Sequence, residues 1–147
     1  MTIQNRRRPT AGAVGLVAMV LLGMGCQQDA ETVRALWRMR ASESFVRIQQ
    51  LEGRREQLAA RLRTLDAESS ARWRVDVTLK SSAQSLLDVR RTIQDADARV
   101  ERSLRHDLAE AKGVVTEETA RADGDLKTID AELASAANAL TGAAAGN

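Results

Sequence analysis

Few side chains in this 147-residue sequence have the chemistry needed for catalysis or metal binding. Cys26 is the only cysteine, so it can act as a nucleophile or accept a lipid, but it cannot form a disulfide within the chain. His106 is the only histidine, and a histidine-based metal or catalytic site needs converging ligands or an adjacent nucleophile. The sequence supplies neither, so we expect His106 to be solvated on a helix.

Closely spaced carboxylates are the other candidates for chemistry. They occur as three pairs: Asp95 and Asp97, Asp123 and Asp125, and Glu117 and Glu118. A calcium loop needs further oxygen ligands and a distal glutamate, and these surroundings lack both. We therefore predict exposed helical carboxylates, with no metal, no cofactor and no enzymatic activity.

The N-terminal segment differs in composition from everything that follows it. Arg6, Arg7 and Arg8 precede an uncharged, apolar run over residues 11–25, which ends at Cys26. This order of basic and apolar regions is typical of a secretory signal peptide. Fifteen helical residues rise only about 22 Å, against a hydrocarbon core of about 30 Å, which disfavours a transmembrane span. The open alternatives are an uncleaved signal anchor and a cysteine that falls here by chance.

The residues around Cys26 resemble the lipobox of bacterial lipoproteins. Gly25 matches the small residue before the invariant cysteine, whereas Gly23 and Met24 depart from the usual occupants. The resemblance implies cleavage before Cys26, removal of residues 1–25, and acylation of Cys26 as the new first residue. It also implies attachment to membrane lipid in the bacterial envelope. In some bacteria an aspartate after the cysteine is linked to retention in the inner membrane. This chain has Gln27 there, so the resemblance favours the periplasmic face of the outer membrane.

The composition after Cys26 argues for thin helical packing and against nucleic-acid binding. Without the three N-terminal arginines the chain has 19 basic and 20 acidic residues, so the overall +2 charge belongs to the signal segment. Aromatic residues make up only 2% and proline occurs once, at Pro9. Residues 26–90 are net basic and residues 91–147 are net acidic, which favours a chain folded back on itself.

A heptad pattern predicts a coiled-coil region over residues 26–140. One column of apolar residues recurs at steps of seven from Trp37, and a later set shifts by one residue. We predict that these residues form the helical seam: Trp37, Leu51, Leu58, Leu65, Leu79, Leu86, Ile93, Val100, Ile129 and Leu133. The companion column is half polar. The sequence therefore predicts an all-α fold, an elongated helical hairpin or coiled coil after the signal peptide.

Three places interrupt this pattern. Residues 73–80 alternate apolar and polar with a strand-like period of two, so we expect a turn or distorted helix over 69–82. A straight helix is the alternative, and residues 30–112 would then extend about 125 Å. The change of phase near Gly113 predicts a bend or break within 105–115. Residues 141–147 read as a flexible tail.

Trp37 lies among three arginines, Arg34, Arg38 and Arg40, shortly after Cys26. This cluster suits either anionic headgroups, with the indole at the membrane interface, or a helix that buries Trp37 and leaves the arginines in water. We predict the second arrangement, because Trp37 is in phase with the heptad column.

The sequence predicts a lipid-anchored protein with a structural, tethering or spacer role, acting through helical self-association. It is similar to murein-type lipoproteins in combining a lipid anchor with a heptad rod. Their C-terminal lysine is replaced here by Gly146-Asn147, which disfavours covalent linkage to peptidoglycan and leaves non-covalent contact open. The alternative is an accessory lipoprotein subunit that binds a helical protein partner in an envelope complex or an outer spanin-like phage lysis system.

Overall fold

The computed structural model describes the backbone of residues 12–64 and 70–145, with side chains for residues 29–64 and 71–143. These ranges contain three α-helices: α1 (Gly12–Leu62), α2 (Ser70–His106) and α3 (Leu108–Ala145). No strand occurs in them, so the prediction of an all-α fold is confirmed. Each helix contacts both of the others, and the product is a three-helix bundle.

Polar contacts between the helices establish their directions. Arg34 bonds Glu101, and further along α1 Glu52 accepts from Arg90, so α1 and α2 are antiparallel. Two arginines of α1 seven residues apart, Arg47 and Arg54, face carboxylates of α3 that are also seven residues apart, so α1 and α3 are parallel. The chain therefore runs up, down and up again, over about 55 Å for the 37 residues of α2.

The core is a narrow seam along the bundle axis. In α2 its members alternate at steps of four and three, which keeps one helical face inward. They are Val75, Leu79, Ser82, Leu86, Val89, Ile93, Ala96, Val100 and Ser103. The seam of α1 consists of Val33, Trp37, Ser44, Ile48, Leu51, Leu58 and Leu62. In α3 two successive steps of four, at residues 118, 122 and 126, shift the phase as a hendecad does.

The predicted turn over residues 69–82 is wrong. Ser70 already begins α2, which continues unbroken to His106, and the reversal precedes it. The alternation that suggested a strand mixes two helical faces: Val75 and Leu79 point into the core, while Trp73 and Val77 are exposed on the other side. Residues four apart share a helical face, so Val75 and Leu79 face the core together while Trp73 and Val77 share the exposed face.

The second reversal takes place at a single residue, Asp107, within the range 105–115 in which the sequence indicated a break. Asp107 Oδ1 accepts from the backbone N–H of Ala109 at 2.7 Å, as an N-cap does. Its own N–H donates to Ser103 O at 2.8 Å and closes the end of α2. One aspartate thus ends one helix and begins the next.

The C-terminal segment is more helical than the sequence suggested. α3 continues to Ala145, so the predicted flexible tail over 141–147 is wrong for its first five residues. Leu140 is buried, and Thr141 Oγ1 donates to Ala137 O at 3.0 Å. Alanine has the highest helix propensity, which accounts for the continued helix. Gly146 and Asn147 lie outside the described residues.

Within the described ranges, no helix is both long enough and apolar enough to span a membrane.

Candidate functional site

The predicted seam residues lie inside the bundle of a single chain. Those with described side chains are all buried: Trp37, Leu51, Leu58, Leu79, Leu86, Ile93, Val100, Ile129 and Leu133. Leu65 lies outside the described residues. Because α1, α2 and α3 cover this seam among themselves, its apolar surface is used within the chain rather than left open for a second copy.

Cys26 lies within the range of α1, and its side chain is outside those described. It precedes Arg34 by eight residues, and Arg34 bonds Glu101 near the reversal at Asp107. The continuous helix therefore connects Cys26 to the end of the bundle where α2 passes into α3.

Trp37 is buried, whereas Arg38 and Arg40 are exposed and Arg34 is partly buried. The indole Nε1 donates to Asp97 Oδ1 at 2.9 Å. Arg34 contacts both Glu101 and Glu31, and the bond to Glu101 raises the pKa of its guanidinium above the ordinary value. The cluster matches the packed arrangement, in which Trp37 belongs to the core.

The carboxylate pairs and His106 are distributed along the bundle. His106 is exposed at the end of α2, and both aspartate pairs are exposed. Glu118 is the exception, because its carboxylate is 3% exposed and accepts from Arg99 Nη2 at 2.7 Å. The expectation that Glu118 is solvated is therefore wrong. Among the described residues, no group of three or more potential metal ligands is close enough to hold an ion.

The opposite end of the bundle contains a feature that we did not predict. Here the contact between Arg61 and Thr141 joins the ends of α1 and α3, and the start of α2 lines a groove against each of them. We call this end the distal tip. A groove of about 530 Å³ runs between α1 and α2 there, and we call it the tip groove. Its floor includes Leu62 and Leu79, and its rim includes Arg63, Arg72 and Lys80.

Cationic side chains outnumber carboxylates among the described residues that line the tip groove. These residues include four cationic side chains and one carboxylate, Asp76, which accepts from Lys80 Nζ at 2.6 Å. Arg55 also lines the groove, and its buried Nε–H has no acceptor among the described residues. A buried N–H without an acceptor costs about 1–3 kcal/mol. Among the described residues, the tip groove therefore contains one buried donor without an acceptor and more cationic side chains than carboxylates.

Trp73 separates the tip groove from a second groove of about 640 Å³ between α2 and α3. Its side chain is 68% exposed, an unusual position for a large indole. The second groove is more apolar, with Val77, Ala136 and Ala139 among its lining residues. Trp73 thus lies between a basic groove and an apolar one.

Sequence reasoning missed the distal tip because the arginines that form it lie on both sides of the first reversal. Arg61 and Arg63 precede the reversal, and Arg72 and Arg74 follow it. Their spacing around a helix end was the available signal, but it indicates a common site only when the reversal is placed between the end of α1 at Leu62 and the start of α2 at Ser70. The alternating segment predicts the reversal within 69–82 instead.

No protein-family model, curated protein or solved structure matches this chain significantly.

Proposed function

We propose that this chain is a lipid-anchored protein of the bacterial cell envelope with a structural, tethering or spacer role. The observation that carries this proposal is the continuity of α1. From Cys26 onward, α1 continues without a break into a bundle about 55 Å long. A rigid rod that continues from an attachment point is what a tether or spacer requires.

The anchor in this proposal is acylated Cys26. One acyl chain gives only marginal membrane binding, whereas two or three give stable anchoring. The lipobox-like residues before Cys26 support such processing, and residues 1–25 would then be removed. We place the anchor in the outer membrane with the bundle in the periplasm, because Gln27 occupies the position after the cysteine.

The rod in this proposal is the bundle itself. It is about 55 Å long and about 20 Å across, since two helices of about 10 Å span its width. Interhelical ion pairs support the packed arrangement along its length, from Arg34–Glu101 to Arg54–Asp130. The bundle would hold its distal tip away from the membrane. Non-covalent contact between this tip and peptidoglycan is also part of the proposal. We assign it no catalytic reaction.

Expression of the full chain in a Gram-negative host, with and without Cys26→Ser, tests the anchor. We expect a mature protein that begins at Cys26 and carries a diacylglyceryl mass, found in the membrane fraction. Cys26→Ser should be unacylated, and the readout is unambiguous because the chain has no other cysteine. Met24→Ala is the matched control, since a small residue there should leave acylation intact. An unmodified chain of residues 1–147 would refute the anchor.

A partner-binding accessory subunit of an envelope complex is the second candidate. The observation that favours it is that one chain buries its own heptad seam, so that surface is not open for self-association. Among the described side chains of α1, the large apolar residues that are exposed are instead Leu36, Met39 and Val46. Sedimentation analysis of the full chain in detergent separates the two: a homo-oligomer supports the self-associating rod, and a monomer supports the accessory subunit.

A further inference from the structure

We propose that the distal tip binds an acidic, amphipathic helical segment of another protein. This inference rests on the proposed tethering role, because a tether needs a second attachment point away from Cys26. The tip groove supplies the positive charge, and the second groove supplies the apolar surface. Trp73 lies between them and would contact both faces of such a segment.

Charge complementarity specifies the sign of the partner. Among the described residues, Arg55 and Arg63 have no ion pair, and Asp76 is already bonded to Lys80. The tip groove therefore presents two guanidinium groups without an ion pair among the described residues, those of Arg55 and Arg63, beside a partly apolar floor. A carboxylate in this groove would pair with the guanidinium groups of Arg55 and Arg63 that line it, and a charge-assisted bond of this kind is among the stronger ones.

The shape of the site favours a polypeptide over a lipid surface. The tip groove runs between two helices, and a flat layer of headgroups does not reach into such a groove. The second groove, with Val77 on its lining, would take the apolar face of the same segment. Helices bind grooves through such apolar faces, and tryptophan and arginine are enriched among the residues that dominate binding energy.

Fluorescence of Trp73 in the full chain, held in phosphatidylcholine nanodiscs, tests the proposal. The probe is an amphipathic helical peptide of glutamate and leucine, and its lysine and leucine counterpart is the control. We expect a saturable blue shift with the glutamate peptide, because the exposed indole becomes covered. Trp37 is already buried, so its emission should stay constant. Trp73→Phe should abolish the shift.

Two double variants identify the groups responsible. Arg63→Gln with Arg74→Gln removes two exposed charges from the distal tip, and we expect Kd to rise about tenfold or more. Arg38→Gln with Arg105→Gln removes the same charge near the other end of the bundle and should leave Kd unchanged. Because all four arginines are exposed, neither double variant should unfold the bundle. Arg55→Gln should also weaken binding, with circular dichroism as its folding control.

Several results would overturn the proposal. These are equal effects of the two double variants, no blue shift with the glutamate peptide, or equal binding of the lysine peptide. A shift with phosphatidylglycerol vesicles but not with the peptide would assign the site to lipid. A concentration-dependent shift without peptide would assign it to a second copy. Acylation of Cys26 is measured separately by mass, so failure of the anchor and failure of the tip site are distinguishable.

Discussion

The indole Nε1 of Trp37 donates to Asp97 Oδ1 at 2.9 Å and joins α1 to α2 across the bundle. Asp97 is exposed and Trp37 is buried, so the bond fixes the one polar atom of a core side chain at the surface.

Replacement of Asp97 by alanine should lower the free energy of unfolding by about 1.5 kcal/mol, because the buried indole loses a charged acceptor. Urea denaturation followed by circular dichroism measures this change. Asp95→Ala is the matched control, since Asp95 is exposed two residues away and should change stability by less than about 0.5 kcal/mol. Equal losses for the two variants would contradict the importance of the bond.

Leu86 and Leu87 are adjacent in α2 and have opposite environments. Leu86 is 1% exposed within the seam, whereas Leu87 is 45% exposed. We expect Leu86→Ala to lower the unfolding free energy by about 3 kcal/mol, through lost burial and a cavity. Leu87→Ala should lower it by less than about 1 kcal/mol. Thermal melts of both variants check the phase of α2, and a larger loss at Leu87 would show that this phase is wrong.

The pair formed by Arg99 and Glu118 predicts an asymmetric response to mutation. Arg99→Ala removes the described partner of a buried carboxylate. It should cost about 2–3 kcal/mol, which is less than for a fully buried pair because Arg99 is partly exposed. Glu118→Leu instead removes the buried charge, including an Oε2 without a described partner, and should be neutral or stabilising. Denaturant titration measures both. Similar destabilisation by both variants would argue that the carboxylate itself is needed.

Asp107 caps the start of α3 at the second reversal, and the contribution of this cap to stability can be measured. Asp107→Ala removes the cap on the Ala109 N–H and should cost about 1 kcal/mol. Asp107→Ser retains a capping oxygen and should stay within a few tenths of a kcal/mol of the wild type. Hydrogen exchange at the amides of Ala109 and Ala111 locates the effect. Unchanged exchange in Asp107→Ala would show that the cap does not hold the start of α3.

Helix content and most seam positions follow from the sequence, because leucine at steps of seven constrains one helical face. The companion column in α2 does not follow from it. Extrapolation from α1 places that column at Asp76 and Arg90, whereas the buried residues are Val75 and Val89, one position earlier. The companion column therefore lies on the other side of the leucine column in α2 than in α1. Which side is buried depends on how α2 packs against α1 and α3.

The tip groove could not be predicted from the sequence for a related reason. It exists because α1 and α2 are brought side by side with Arg55 and Trp73 at the same level. These residues are separated along the chain by a reversal whose position the alternating segment 73–80 obscured. Glu118 similarly looked like a solvent-exposed residue beside Glu117, and only the hendecad phase of α3 turns it inward.

The odd number of helices has a mechanical consequence. Because α1 and α3 are parallel neighbours, a force that pulls the start of α1 away from the end of α3 acts along the seam. The helices are then loaded in shear, and every layer of buried side chains resists their sliding at the same time. A two-helix hairpin with both ends at one pole would instead unzip layer by layer under the same force.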